Sequence, residues 1–248
     1  KILGLVLGLA LVWLLMPITA LAVEPTYIEQ RNISLDNVVC NQTYTSTYRY
    51  NYEISGNSSS NRITISGGTE DTPVLVWLYD LRMDHSSQVS SPITVESGSY
   101  AIIYIKKENN ESARVQLLGG IQDSSQQAGG RAAICVEEGA HLTISGSSNG
   151  YLYTEGGGNN GRGGAGIGSD YNESCSNITI DGDMTIEAMG GTGAAGIGSG
   201  GNGGDGGNIV IKGGNVTATG GEDGAGIGGG KNGGGGSVTI RGGTITAQ

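Results

Sequence analysis

The tetrapeptide Ala-Gly-Ile-Gly stands at residues 165–168, 195–198 and 225–228, so its copies recur at equal intervals. A fixed period of about 30 residues belongs to chains that stack one supersecondary unit on the next. Each copy is followed by a glycine-rich run and an alternating apolar segment: Asn177-Ile178-Thr179-Ile180, Asn208-Ile209-Val210-Ile211 and Ser237-Val238-Thr239-Ile240. A second short segment follows each of these. Superposing the copies aligns Ile134, Ile167, Ile197 and Ile227 in one column, Ile144, Ile180, Ile211 and Ile240 in a second, and Leu152, Ile186, Val216 and Ile245 in a third. Three apolar columns per repeat predict three short strands per coil, each turning alternate residues inward.

A chain that returns to the same column at this period, with each strand about 4.8 Å from its equivalent, is predicted to be an all-β, right-handed parallel β-helix with three-strand coils. Composition agrees. With 48 glycines and no phenylalanine, the chain lacks large side chains for an ordinary globular core, whereas Ile, Val, Leu and Ala suit stacked sheets. The glycines are expected at coil corners that need positive φ. Upstream, Ile63-Thr64-Ile65 and Ile93-Thr94-Val95 recur at the same interval as the tetrapeptide, and residues 74–83, 101–105 and 115–118 read as further strands. The expected organisation is a signal peptide (1–22), an amino-terminal capping region (23–60), irregular coils (61–130) and glycine-rich regular coils (131–248). The last coil is expected to continue beyond Gln248.

Residues 2–16 are apolar and are followed by Pro17 and then Ala20-Leu21-Ala22, the layout of a secretory signal cleaved after Ala22. The competing reading, a retained anchor, needs about 20 apolar residues, more than this stretch offers. Export predicts a secreted, extracellular or cell-surface location. Loss of Lys1 with the signal leaves 12 basic against 23 acidic side chains, a surface that repels phosphate backbones and excludes nucleic acid as a partner. Membrane contact is expected only through the signal or an anchor outside this sequence. Seven Asn-X-Ser/Thr sequons begin at Asn32, Asn41, Asn57, Asn110, Asn172, Asn177 and Asn215. Asn177 and Asn215 fall inside the repeat, where asparagine ahead of a Thr-rich strand has a structural reason.

Gly-Ala-Gly-Ile-Gly, a glycine run, a Val/Ile-Thr-Ile strand, Gly-Gly and a Thr-Ile-Thr-Ala strand together resemble the repeat of glycine-rich parallel β-helix proteins of bacterial and archaeal cell surfaces. Those proteins are often called adhesin-like. The resemblance covers residues 131–248 well and 61–130 loosely. It implies a non-catalytic structural or adhesin-like surface module. Related β-helix families include carbohydrate-binding modules and polysaccharide lyases and hydrolases, so the fold leaves those two alternatives open. It also implies extracellular polysaccharide or host and cell-surface glycan as the partner.

Chemistry-bearing residues are sparse. Asp80, Asp84 and His85 form the best local cluster for paired-carboxylate work, but an aspartate at a coil corner is more often simply solvated. Only His85 and His141 are present, and no nucleophile triad stands out. No cofactor is expected, although residues 200–205 match the start of a calcium-binding nonapeptide and make Asp205 a weak calcium candidate. Asp181 and Asp183 flank Gly182 and are ambiguous in the same way. Tyr48, Tyr50 and Tyr52 alternate along one predicted strand face. They either form a stacking platform for sugar rings or cap the first coil. Copy alignment places Cys135 and Cys175 near each other across adjacent coils, where they either form a disulfide or remain, with Cys40, buried thiols.

Overall fold

The computed structural model describes residues 29–34, 42–46, 50–106, 111–121, 129–202 and 204–248, with side chains from Tyr52 onward. The signal segment, Cys40, Asn41, Tyr48 and Asn110 lie outside the described residues. Among those described there is no helix, and so none long and apolar enough to cross a membrane.

The strands are divided between two sheets. The first come as β1 (Glu29–Ser34), β2 (Gln42–Ser46), β3 (Tyr50–Ser58), β4 (Ile63–Gly67) and β5 (Val74–Asp84). A set of three follows twice: β6 (Ile93–Val95), β7 (Tyr100–Ile105) and β8 (Ala113–Leu118), then β9 (Ile134–Val136), β10 (His141–Gly146) and β11 (Gly150–Glu155). The regular copies give β12 (Ile167–Gly168), β13 (Asn177–Gly182) and β14 (Thr185–Met189), then β15 (Ile197–Gly198), β16 (Asn208–Ile211) and β17 (Asn215–Thr219). The last three are β18 (Ile227–Gly228), β19 (Ser237–Ile240) and β20 (Thr244–Ala247).

These strands pair in parallel and form three stacks. The first runs β2-β4-β6-β9-β12-β15-β18, the second β5-β7-β10-β13-β16-β19 and the third β5-β8-β11-β14-β17-β20. The second and third join into one sheet because β5 belongs to both: Val74–Leu78 pairs with β7, and Leu81–Asp84 with β8. Between these halves Asp80 takes a φ of 45° and bends the strand. In later rungs the same corner is a turn, as at Gly213-Gly214, where Gly214 has φ 90°. The sequence predicts one strand over 74–83 without indicating that it serves two stacks.

Register follows the isoleucine columns. In the first stack Ile63 pairs with Ile93, Ile93 with Ile134, Ile134 with Ile167, Ile167 with Ile197 and Ile197 with Ile227. One column thus runs from the irregular coils into the regular ones, and Ile63 through Ile197 are fully buried along it. The second stack aligns Val76, Ile103, Ile144, Ile180, Ile211 and Ile240. The third aligns Leu81, Val115, Leu152, Ile186, Val216 and Ile245. Burial needs a rung on both sides. In β19, which has a rung on one side only, Val238 is 41% and Ile240 is 54% exposed, while Ile209 and Ile211 one rung earlier are fully buried.

The recurring tetrapeptide is a short strand inside a tight turn. Ala165 N–H donates to the carbonyl of Ser169 (3.0 Å), Ala195 to Ser199 (3.0 Å) and Ala225 to Gly229 (3.1 Å). Amides on the outward side point to the next rung, as Ile167 N–H does to Gly196 O at 3.0 Å. The second glycine of the motif is required twice over. Gly168 has φ 145°, and a Cβ there would run into the carbonyl of Gly198, the equivalent glycine of the next rung. Gly198 and Gly228 repeat that relation.

Gly168→Ala is therefore expected to destabilise the chain by about 2–3 kcal/mol, through backbone strain and displacement of the neighbouring rung. Gly235, whose added Cβ would meet nothing within 4 Å, should accept alanine within about 0.5 kcal/mol. Chemical denaturation of the two variants measures the contrast, and equal effects would contradict this account of the glycine column.

Candidate functional site

The residues expected to carry chemistry do not converge. His85 is fully buried. Its Nε2 lies 2.9 Å from the Asn61 carbonyl, and its Nδ1 lies 3.0 Å from Ser90 Oγ and 3.3 Å from Ser90 O. Burial pushes its pKa below the ordinary histidine value, partly offset by these backbone contacts. Asp84 is turned to solvent and bonded by Ser86 (Oγ 2.7 Å, N–H 3.2 Å) and Arg82 (2.9 Å), with the Ser86 hydroxyl as the main cause of its lowered pKa. Asp80 sits at the bend of β5. The three thus occupy a corner, a solvated ion pair and the core.

Asp205 is exposed. Its Oδ1 accepts from the Gly206 amide (3.1 Å), and its own amide donates to Ser174 Oγ (3.0 Å), so it caps a turn. Asp181 pairs with Lys212 at 3.0 Å on the surface. Tyr50 lies in β3, and Tyr52 is buried to 7% exposure within the core. Tyr52 therefore presents no open ring face to a sugar, because its position in β3 turns inward alongside Ile54.

Cys135 and Cys175 are both buried free thiols in the structure, the second of the two arrangements that the sequence leaves open. The reason is directional. Ile134 and Val136 of β9 turn into the core, so Cys135 between them turns outward, whereas Cys175 is itself a member of the core cluster. Burial pushes the Cys175 thiol up to about 12 and raises that of Cys135 well above its ordinary value, so neither is a nucleophile at neutral pH.

Outside Cys135 lies a polar knot that repeat reading does not anticipate. Asp170 Oδ1 accepts from the Ala132 amide (2.7 Å) and from Ser91 Oγ (3.1 Å), and its Oδ2 accepts from Arg131 Nη1 (2.8 Å). One carboxylate thereby ties the irregular segment at Ser91 to the coil at Arg131. The available signal is a departure from the repeat: after Ser169 comes Asp170, where the next copies have Gly200 and Gly230. Donor atoms of Cys135, Asp170 and Glu173 lie within 4.8 Å of one another, a spacing that suits a metal ion. However, both oxygens of Asp170 are already bonded and burial disfavours the Cys135 thiolate, so the arrangement as it stands is a clasp.

Beside it the buried serines make a ladder. Ser169 Oγ donates to Glu173 O (2.6 Å) and accepts from Gly200 N–H (3.0 Å). Ser199 Oγ donates to Gly204 O (2.9 Å) and accepts from Gly230 N–H (2.9 Å).

A concave surface lies elsewhere, on the outer face of the second stack. A groove of about 240 Å3 is walled by Tyr100, His141 and Asn177 on consecutive rungs, floored by Ile102, Thr143 and Thr179, and closed at one end by Glu70 and Pro73. The rings of Tyr100 and His141 stack with centroids 4.2 Å apart and planes 5° apart. Asn177 Nδ2 donates to the Ala140 carbonyl at 3.2 Å and faces His141 Nε2 at 3.5 Å. Farther along the same face Trp77 of β5 and Tyr104 of β7 form a second stacked pair at 4.7 Å. Tyr100 and His141 are farther apart in sequence than one regular repeat, which hides their pairing from a search at the period of the tetrapeptide.

No protein-family model matches the chain, and no curated protein or solved structure matches it.

Two variants test the clasp. Asp170→Ala should lower stability by about 2–3 kcal/mol, less than for a wholly buried pair because the Arg131 side chain is 35% exposed. Glu173 is exposed as a residue, but desolvation of its carboxyl end, and next the charge of Asp170, raise its pKa above 4.5. A carboxyl raised in the folded state favours folding while protonated. Stability therefore falls as pH rises from the unfolded value through the folded one. Glu173→Gln should match the parent near pH 4 and become the more stable of the two at neutral pH, as read from denaturation midpoints across that range.

Proposed function

We propose that this chain is a right-handed parallel β-helix of three-strand coils that serves as a rigid, non-catalytic module of a secreted or cell-surface protein, adhesin-like in role. The observation that carries the reading is the single isoleucine register from Ile63 to Ile227. A chain that visits three stacks in fixed order and returns to the same column advances one strand spacing, about 4.8 Å, per circuit. Right-handedness follows from the strong preference of parallel crossovers.

A stack of this kind is stiff, because each rung is hydrogen-bonded to the rungs above and below it, and it grows by repetition. That suits a stalk or a display surface. The absence of convergence among Asp80, Asp84 and His85 supports a non-catalytic role, and the apolar leader followed by Ala20-Leu21-Ala22 supports export. The acidic balance of the chain, with a net charge of −10, favours partners other than nucleic acid.

Small-angle scattering from the purified chain should fit a short stack about 29 Å tall, six strand spacings for seven rungs, with a strand-dominated circular dichroism spectrum. Incubation with pectin and related polysaccharides should release neither reducing ends nor unsaturated ends. Appearance of either product would replace the structural reading with that of a polysaccharide hydrolase or lyase.

A further inference from the structure

We infer that the groove on the outer face of the second stack is a binding site for a neutral polysaccharide. The inference rests on the extracellular β-helix reading only for where such a ligand would be met.

The parallel register provides the shape. Pro73, Tyr100, His141 and Asn177 follow one another on successive rungs, so the groove runs along the stacking direction for about 14 Å, three strand spacings. A linear polymer laid in it meets a new side chain about every 4.8 Å. The floor changes along the way from Ile102 to Thr143 and Thr179, apolar at one end and hydroxyl-bearing at the other.

The chemistry selects a saccharide. Sugar rings are bordered by hydroxyls that both donate and accept, and they are held by side chains that do the same. The half-exposed rings of Tyr100 and His141 cover each other's faces along the stack, so they turn their edges to the groove and hold the phenol hydroxyl and the imidazole nitrogens in fixed places as donors and acceptors. Among the described residues the side chains of Glu70, Tyr100, Thr143 and Thr179 make no hydrogen bond within the protein, so four polar groups line the groove ready for a ligand. The amide nitrogen of Asn177 is held by Ala140, leaving its Oδ1 as a further acceptor.

Charge narrows the class. Glu70 stands at the mouth of the groove, no Lys or Arg among the described residues lines it, and the chain as a whole carries −10. A uronate or sulfated polymer would be repelled. A neutral one donates its hydroxyl protons to Glu70 and meets no such barrier.

Affinity electrophoresis of the full chain through gels containing barley β-glucan, xylan, mannan or polygalacturonate tests the assignment. Retardation is expected in at least one neutral polymer and not in polygalacturonate. His141→Ala and Tyr100→Phe should weaken that retardation at least tenfold and fivefold respectively. Tyr151→Ala, on the neighbouring face, should leave it unchanged. Should His141→Ala lose the strand spectrum, Glu70→Gln and Thr179→Ala, at the rim and floor, replace it with the same expectation of weakening. Mobility unaffected by every neutral polymer, retardation by polygalacturonate alone, or full retardation of the groove variants would overturn the proposal. A failure of the β-helix reading is separately visible in the scattering and dichroism of the unmodified chain.

Discussion

Everything in this molecule depends on the vertical repeat of the parallel backbone ladder. Each rung satisfies its outward amides on the carbonyls of the next, as Ile167 does on Gly196 and Ile197 on Gly226. The same spacing brings like side chains into contact, so an isoleucine at one level is best covered by an isoleucine at the next. The core is therefore a set of columns rather than a centre. Its burial is complete only where a column is continued on both sides, as the difference between Ile211 and Ile240 illustrates.

The glycine content is the other side of that constraint. Where the turns of adjacent rungs pass over one another, backbone lies directly on backbone. At Gly168 a side chain would collide with Gly198, and at Gly198 with Gly228. Not every tight turn uses glycine. Asn172, Asn202 and Asn232, again one repeat apart, take φ values of 66°, 69° and 61°, which asparagine tolerates better than most residues. The sequon at Asn172 is thus also a turn asparagine, and Asn202 Nδ2 donates to its Oδ1 at 3.3 Å.

These two constraints explain what could be read from the sequence. The columns through Ile134, Ile144 and Leu152 were legible because identical stacking imposes identical residues at a fixed period. The link from Ile93 to Ile134 was not, because the coil between them is longer than the regular copies and falls out of phase with them. Nor was the fusion of two strands in β5, since its bend rests on Asp80 and not on a glycine signal. Tyr52 reads as part of an alternating aromatic face, but alternation alone does not say which face is the inner one. Cys135 and Cys175 fall in neighbouring coils, yet they lie on opposite sides of a strand layer, a distinction that depends on the side-chain parity of β9. The groove was missed for the same reason as the Ile93–Ile134 link: Tyr100 and His141 come together only across the longer coil.

Inward and outward positions are consequently under different physical demands, and this decides where chemistry can reside. Inward, the second stack holds Val76, Ile103, Ile144, Ile180 and Ile211, all fully buried and nearly uniform. Outward, the column beginning at Tyr100 continues as His141, Asn177, Asn208 and Ser237. Packing fixes the first list and leaves the second free. Along that second list ring gives way to amide and then to hydroxyl, so the outer face loses its large side chains as the coils become regular. The regular glycine-rich coils supply repetition and stiffness. The less regular coils, where the loop carrying Glu70 and Pro73 rises beside the sheet, supply the groove with its side-chain variety. The groove on this stack therefore lies where the period is broken, and the same break conceals it from a search for the repeat.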